Sequence, residues 1–152
     1  MAFEISVSAF ANGEAIPRRH TCDGQDLSPA LAWSGAPPQT KSFVLIVDDP
    51  DAPAGTWNHW LQFDIPATAK SLPEGARPDQ AGRSGKNDFG RLGYGGPCPP
   101  KGHGPHRYFF KLYAVDAPSL GLAAGAKRAE LDRALKNHVL AGAQYMGRYE
   151  RK

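Results

Sequence analysis

Histidine, aspartate and tyrosine recur in this 152-residue chain at spacings from which they could hold an anion or move a proton. His106 and Tyr108 stand two apart at the head of the alternating segment Arg107 to Val115, so on a strand both project from one face. His59 lies in a second alternating segment, with Trp57, Leu61, Phe63 and Ile65 on its face and Asn58, Trp60, Gln62 and Asp64 on the other. The run Asp48-Asp49-Pro50-Asp51-Ala52-Pro53 closes an apolar strand and sets carboxylates at its mouth, although such a cluster is by itself turn chemistry. A phosphate group needs several donors in a fixed cradle, and imidazole N–H, phenol O–H and loop amides supply them. A carboxylate beside the imidazoles favours their protonated form. Should Asp49 accept a hydrogen bond from a ligand ammonium, a phosphoethanolamine-like head group fits as well.

Two other chemistries use the same residues. His59, His103, His106 and Asp49 are suitable metal ligands by type. His103 and His106, however, are three apart across Gly104 and Pro105 rather than on a helix, and no His-Glu-x-x-His motif occurs. A hydrolase could draw acid and base groups from His, Asp and Tyr. The nucleophile is missing, since there is no Gly-x-Ser-x-Gly elbow, no Walker loop and no sequence context for an activated thiolate.

Strands must position these groups. Phe3, Ile5, Val7 and Ala9 alternate with polar residues, as does Trp57 to Ile65, while Ser42 to Val47 is a continuous apolar run suited to a strand buried on both faces. Arg107 to Val115 and Gln144 to Glu150 complete the set. One helix is expected from near Lys127 to about Gly142, with Leu131, Leu135 and Val139 at four-residue spacing. The pattern predicts a mainly β fold, an antiparallel β-sandwich with a large central sheet, a smaller sheet and a peripheral C-terminal helix. No linker or repeat divides the chain, so a single domain over 1–152 is expected. Between Gly82 and Pro105, 12 of 24 residues are Gly or Pro, and a loop this long is ordered and functional or else a surface excursion.

Composition narrows the function classes. Gly (17) and Pro (14) make up about a fifth of the chain, favouring turns over long helices. The net charge of +3 is spread over Arg18, Arg19, Lys127, Arg128 and the Arg148–Lys152 tail without a nucleic-acid motif, so no nucleic-acid partner is expected. The longest apolar run, Phe43 to Val47, has five residues against the about 20 of a membrane span. No basic residue precedes Arg18, which fits neither a signal nor a transit peptide, and a cytoplasmic location is expected.

The blocks Asp49-Pro50-Asp51-Ala52-Pro53, Trp57-Asn58-His59-Trp60 and Pro99-Pro100-Lys101-Gly102-His103-Gly104-Pro105-His106-Arg107-Tyr108 resemble the phosphatidylethanolamine-binding protein family, which includes the Raf kinase inhibitor proteins. Thr21-Cys22-Asp23-Gly24, Ser28-Pro29 and Trp33-Ser34 support the resemblance, which runs over about residues 3 to 150. The short spacer Ala54 to Thr56 and compact C-terminus are similar to the bacterial and archaeal branch, the YbhB/YbcL type. Asn58 stands where many eukaryotic members have a histidine, and Cys98 where they have a glycine.

The resemblance implies a small anion-binding pocket at one end of the sandwich. Its ligand-binding set, carried across, is Asp49, Asp51, Pro53, His59, Pro100, Gly102, His106 and Tyr108, with Asp51, Pro53 and Pro100 shaping the wall. The implied role is binding and regulation rather than catalysis, with no cofactor. Its implied partners are a small phosphorylated ligand or phospholipid head group and, by analogy, a kinase or protease, with a homodimer allowed. The resemblance also places Cys22 and Cys98 in loops near the pocket. Two free, buried thiols are the expected state, a bridge the alternative.

Overall fold

Strand β3 (Ser42–Asp49) is the axis of the protein, and in the computed structural model, which describes residues 2–152, it is buried along its whole length. It lies in the middle of a five-stranded antiparallel sheet of order β6-β4-β3-β7-β8. The other members are β4 (Trp57–Pro66), β6 (Arg83–Ser84), β7 (His106–Val115) and β8 (Val139–Tyr149). A smaller sheet, β1 (Glu4–Val7), β2 (Leu31–Ser34) and β5 (Ser71–Leu72), has the order β1-β2-β5 and covers one face. Helix α1 (Arg128–Leu135) covers the other. The expected sandwich with a peripheral helix is what the chain forms.

The two covers explain why the β3 run is continuous rather than alternating, because each pleat face meets its own core. Phe43, Leu45 and Val47 join Ile5, Val7, Leu31, Trp33 and Leu72 of the small sheet. Val44 and Ile46 join Leu131 and Leu135 of the helix. Extending the pleat by one step on each side sends Asp49 toward the small-sheet side and Asp48 toward the helix side. Strand β7 follows the same rule. His106, Tyr108, Phe110, Leu112 and Ala114 share the small-sheet face, and Lys111 emerges on the helix face to meet Asp48.

Strand β4 departs from the simple alternation that its sequence suggests. Its ladder with β3 slips twice, between the pairs Val47↔Trp60 and Asp48↔Asn58 and between Phe43↔Ile65 and Leu45↔Gln62. At each slip β4 carries one more residue than β3, a β-bulge, and the side chains beyond it change face. Leu61 and Phe63 therefore pack on the helix side, while Trp60 and Ile65 pack with the small sheet. The expected common face of Trp57, His59, Leu61, Phe63 and Ile65 does not exist. Asp64, in the second bulge, takes a left-handed backbone (φ 55°).

The C-terminal elements also differ from expectation. Helix α1 stops at Leu135, followed by Asn137 with φ 69°, the left-handed conformation that ends helices. Val139 is 44% exposed and begins β8 instead of closing an apolar helix stripe. Ten register pairs with β7, from His106↔Tyr149 to Val115↔Val139, outweigh the helical spacing of three residues. β8 thus starts five residues earlier than the Gln144 start expected. No helix among the described residues is long and apolar enough to cross a membrane.

Candidate functional site

The first bulge of β4 delivers His59 to the end of the sandwich where β3 and β7 deliver Asp49 and His106. A small cavity of about 200 Å³ opens there, lined by Asp49, Ala52, Pro53, Trp57, His59, Phe89, Cys98, Pro99, Pro100, His106 and Tyr108. The volume lies below the about 300 Å³ at which drug-sized ligand sites begin, so it suits a compact group. The rings form one cluster. His59 meets Tyr108 edge-on with centroids 5.2 Å apart, Tyr108 stacks on His106 at 6.5 Å, and Phe89 closes over His59 at 5.4 Å.

Six of the eight residues named from sequence line the cavity: Asp49, Pro53, His59, Pro100, His106 and Tyr108. Asp51 and Gly102 do not. Asp51 turns outward and accepts hydrogen bonds from Arg107 Nε (2.9 Å), Nη2 (2.8 Å) and backbone N–H (2.9 Å), pinning the β3–β4 turn to β7. Gly102 sits in an exposed turn (φ 75°), and its N–H donates to the carbonyl of Arg151 at 2.8 Å. Trp57, Phe89 and Cys98 also line the cavity and lie outside the ligand-binding set carried across, while His103, offered by the sequence only as a metal ligand, stands behind His106. Trp57 is two residues from His59 and was within reach of the strand argument; nothing in the Gly- and Pro-rich segment marked Phe89.

Asp49 is 3% exposed and fully engaged: Oδ1 accepts the Asp51 N–H (2.7 Å), Oδ2 the His106 Nδ1–H (2.7 Å). The other nitrogen of His106, Nε2, lies 2.6 Å from Nδ1 of His103. A chain Asp49–His106–His103 therefore runs from a buried carboxylate to an exposed imidazole. On β4, His59 Nδ1 lies 2.7 Å from the carbonyl of Gly95. A carbonyl only accepts, so Nδ1 carries the hydrogen, and Nε2 has no partner among the described residues.

Burial holds the His59 imidazole below its ordinary pKa, and the hydrogen bond to Gly95 and the Asp49 charge only partly offset it. The expected protonated imidazole beside Asp49 is thus reversed at His59, because desolvation outweighs the neighbouring carboxylate. Burial, reinforced by Asp49 and Asp51, raises the Tyr108 phenol well above its ordinary value, so it keeps its proton. No Lys or Arg lines the cavity. Among the described residues no group of three or more His, Cys, Asp or Glu is arranged to hold a metal ion.

Arg107 holds the Asp51 carboxyl at about 2, through its side-chain hydrogen bonds first and its charge after them. The folded value lies below the about 3.9 of an unfolded Asp, so this stabilisation is complete above about pH 5 and is lost as pH falls through about 2. With Arg107 half exposed, we expect Asp51→Asn to lower stability by about 1 kcal/mol at pH 7 and the difference to vanish toward pH 2. Urea melts of both proteins at several pH values measure this; a difference that persists at pH 2 contradicts it.

Behind the site, Asp48 Oδ2 accepts from Lys111 Nζ (3.0 Å) and Arg128 Nη1 (2.9 Å) on the helix side. Arg128 Nη1 also donates to Asn58 Oδ1 (2.8 Å), and the backbone N–H of Asn58 to Asp88 Oδ2 (2.6 Å). Asn58 accordingly faces away from the cavity and fixes the start of β4. The wall opposite is the segment Tyr94–Pro100, held by Tyr94 O–H to the His20 carbonyl (2.7 Å), Gly96 N–H to Asp26 Oδ1 (2.8 Å) and Cys22 N–H to the Pro97 carbonyl (3.1 Å). Cys22 and Cys98 are joined in a disulfide and both are exposed, so the expected free, buried thiols are corrected on both counts. Alternation and loop composition hold no distance between residues 76 apart; the strap from Tyr94 to Pro97 brings them together.

Residues 6–150 match the family model for phosphatidylethanolamine-binding proteins. A UPF0098 protein of Aquifex aeolicus is 51% identical over 151 residues, covering 97% of this chain and 88% of the relative. The crystal structure of E. coli YbcL, described as a member of the mammalian PEBP family, is 37% identical, covers 100% of both chains and superposes with a TM-score of 0.92. A phosphatidylethanolamine-binding protein homologue from Chlamydia trachomatis is also 37% identical, covers 99% of each chain and has a TM-score of 0.90. With the sandwich, the motif blocks and these relatives in agreement, the chain belongs to the phosphatidylethanolamine-binding protein family.

Proposed function

We propose that this protein is a binding and regulatory module whose cavity takes a small phosphate-containing ligand, such as a phosphoethanolamine-like head group or a phosphorylated side chain. The observation that carries the reading is the convergence of His59, His106 and Tyr108, from two strands, on a cavity of about 200 Å³. Its few polar groups stand in an otherwise apolar wall, the composition of a ligand site rather than of a packed core. The Tyr108 hydroxyl is a donor, and the His103 Nδ1–His106 Nε2 pair offers a hydrogen that a ligand oxygen can compete for.

The same geometry gives little support to catalysis. Cys98, the one thiol position on the wall, is tied to Cys22, and no Ser or Lys lines the cavity to serve as nucleophile. Modulation of a kinase or a protease, and self-association, are further parts of the proposal that rest on family analogy alone.

The test is an NMR titration of the histidine side chains with inorganic phosphate and with phosphoethanolamine at pH 6.5. We expect His59 and His106 ring resonances to shift and saturate together, while His138, paired with Asp116 on the far side of β7, stays put. Flat His59 and His106 signals at tens of millimolar ligand refute the phosphate reading.

A further inference from the structure

The hydrogen-bonding inventory of the cavity is unusual for an anion site. His59 Nε2 offers a lone pair, because its hydrogen is on Nδ1 and committed to Gly95. Both oxygens of Asp49 are occupied by donors from Asp51 and His106. His106 Nε2 is occupied by His103. No lysine or arginine lines the wall, and Arg107 is committed to Asp51 outside it. The one side-chain donor in the cavity that is free of partners among the described residues and open to a ligand is the Tyr108 hydroxyl; Trp57 Nε1 is unpaired but sealed from solvent.

A fully ionised anion would therefore set its lone pairs against that of His59, and each such contact in a buried site goes unpaired. An anion that carries a hydrogen of its own meets no such conflict. Resting on the reading that the cavity takes phosphate, we propose that it selects a phosphate monoester in its singly protonated form, the ligand's P–O–H donating to His59 Nε2 while a charged oxygen accepts from Tyr108. The monoester class follows from the chemistry. A monoester has a second ionisation near pH 6 and so carries this proton in part at neutral pH, whereas a diester, the phosphate of an intact phospholipid, has none. The lone pair of His59 thereby discriminates a phosphorylated small molecule or side chain from a lipid head group.

The charged and titratable groups around His59 are Asp49 of β3, Asp88 of the loop after β6, and His106 and Tyr108 of β7, with His103 behind His106. Burial disfavours the protonated form of His59, and the hydrogen bond from its Nδ1 to the Gly95 carbonyl leaves the lone pair on Nε2. Any protein-side titration acts alike on every anion offered, and sulfate, which has no proton to lose between pH 6 and 8, reads that part alone.

The experiment is calorimetric titration of the intact protein with phosphoethanolamine, glycerophosphoethanolamine and sulfate at pH 6, 7 and 8. The first two share the ammonium and differ in monoester against diester. The expected result is a preference for phosphoethanolamine over both others of at least tenfold at pH 6. Its advantage over sulfate then falls about ninefold between pH 7 and 8, as the protonated fraction of a ligand with a pKa near 6 declines. Equal affinity of monoester and diester at pH 6, or a phosphoethanolamine-to-sulfate ratio that does not change with pH, overturns this inference and leaves the phosphate site standing. Failure of all three to bind overturns both.

Discussion

Replacing Cys98 by serine lowers the stability of the protein by about 4 kcal/mol, the loop-closure entropy released when a cross-link between residues 76 apart is removed from the unfolded chain. Urea or guanidinium melts of the oxidised protein, the reduced protein and Cys98→Ser measure it, and a loss below about 1 kcal/mol would show that the bridge does not restrain the unfolded chain. Because both cysteines are exposed, reductant reaches the bridge without unfolding. The local effect is confined. Upstream of Cys98 the wall keeps its bonds from Tyr94 to His20, from Gly96 to Asp26 and from Cys22 to Pro97. Only Pro99 and Pro100 lose their tether, so ligand affinity weakens while His59 keeps its bond to Gly95.

Gly96→Ala acts on that retained part and is the more local probe. A Cβ at this position would stand 2.3 Å from Asp26 Oδ1, 2.3 Å from the carbonyl oxygen of His20 and 3.0 Å from Thr21 Cα. Backbone cannot swing aside as a flexible side chain does, so the strap must shift, at a cost of about 3 kcal/mol. The adjacent Gly95 carbonyl holds His59, so we also expect phosphate affinity to fall at least tenfold and the His59 Nδ1–H NMR signal to lose its hydrogen-bonded shift. Gly102→Ala is the control: it has positive φ but open space around it, and it should cost about 1 kcal/mol and leave His59 untouched. A Gly96→Ala protein as stable as the parent, with His59 unmoved, would mean that the strap is free to yield.

The sequence was legible where the chain obeys a period. The apolar run of β3 set Asp49 at its mouth and the alternation of β7 set His106 and Tyr108 on one face, because each residue there advances the ladder by one step. In β4 the same counting failed twice. Alternation counts residues, whereas facing follows ladder pairs, and each bulge adds a residue without adding a pair. His59 reached the cavity nonetheless, with Trp57 and not with Leu61. Val139 shows a different failure: three leucine-like residues four apart satisfy a helix, but ten partners on β7 decide the matter. Long-range closures left no local trace at all, neither the bridge from Cys22 to Cys98 nor the position of Phe89 over His59.

The bulge at the head of β4 also leaves His59 as the one residue there that no ladder pair holds in the chain. Deleting the one residue between Asn58 and Trp60, which is His59, would restore an unbroken ladder and leave every pair in place, Asn58 opposite Asp48 and Trp57 opposite Asp49. The flanking side chains would keep their faces, and the cavity would lose the imidazole that β4 supplies while the hydrophobic interior stayed intact. A lineage that loses this one codon would keep its strand pairing and part with the β4 imidazole of the proposed phosphate site in a single step.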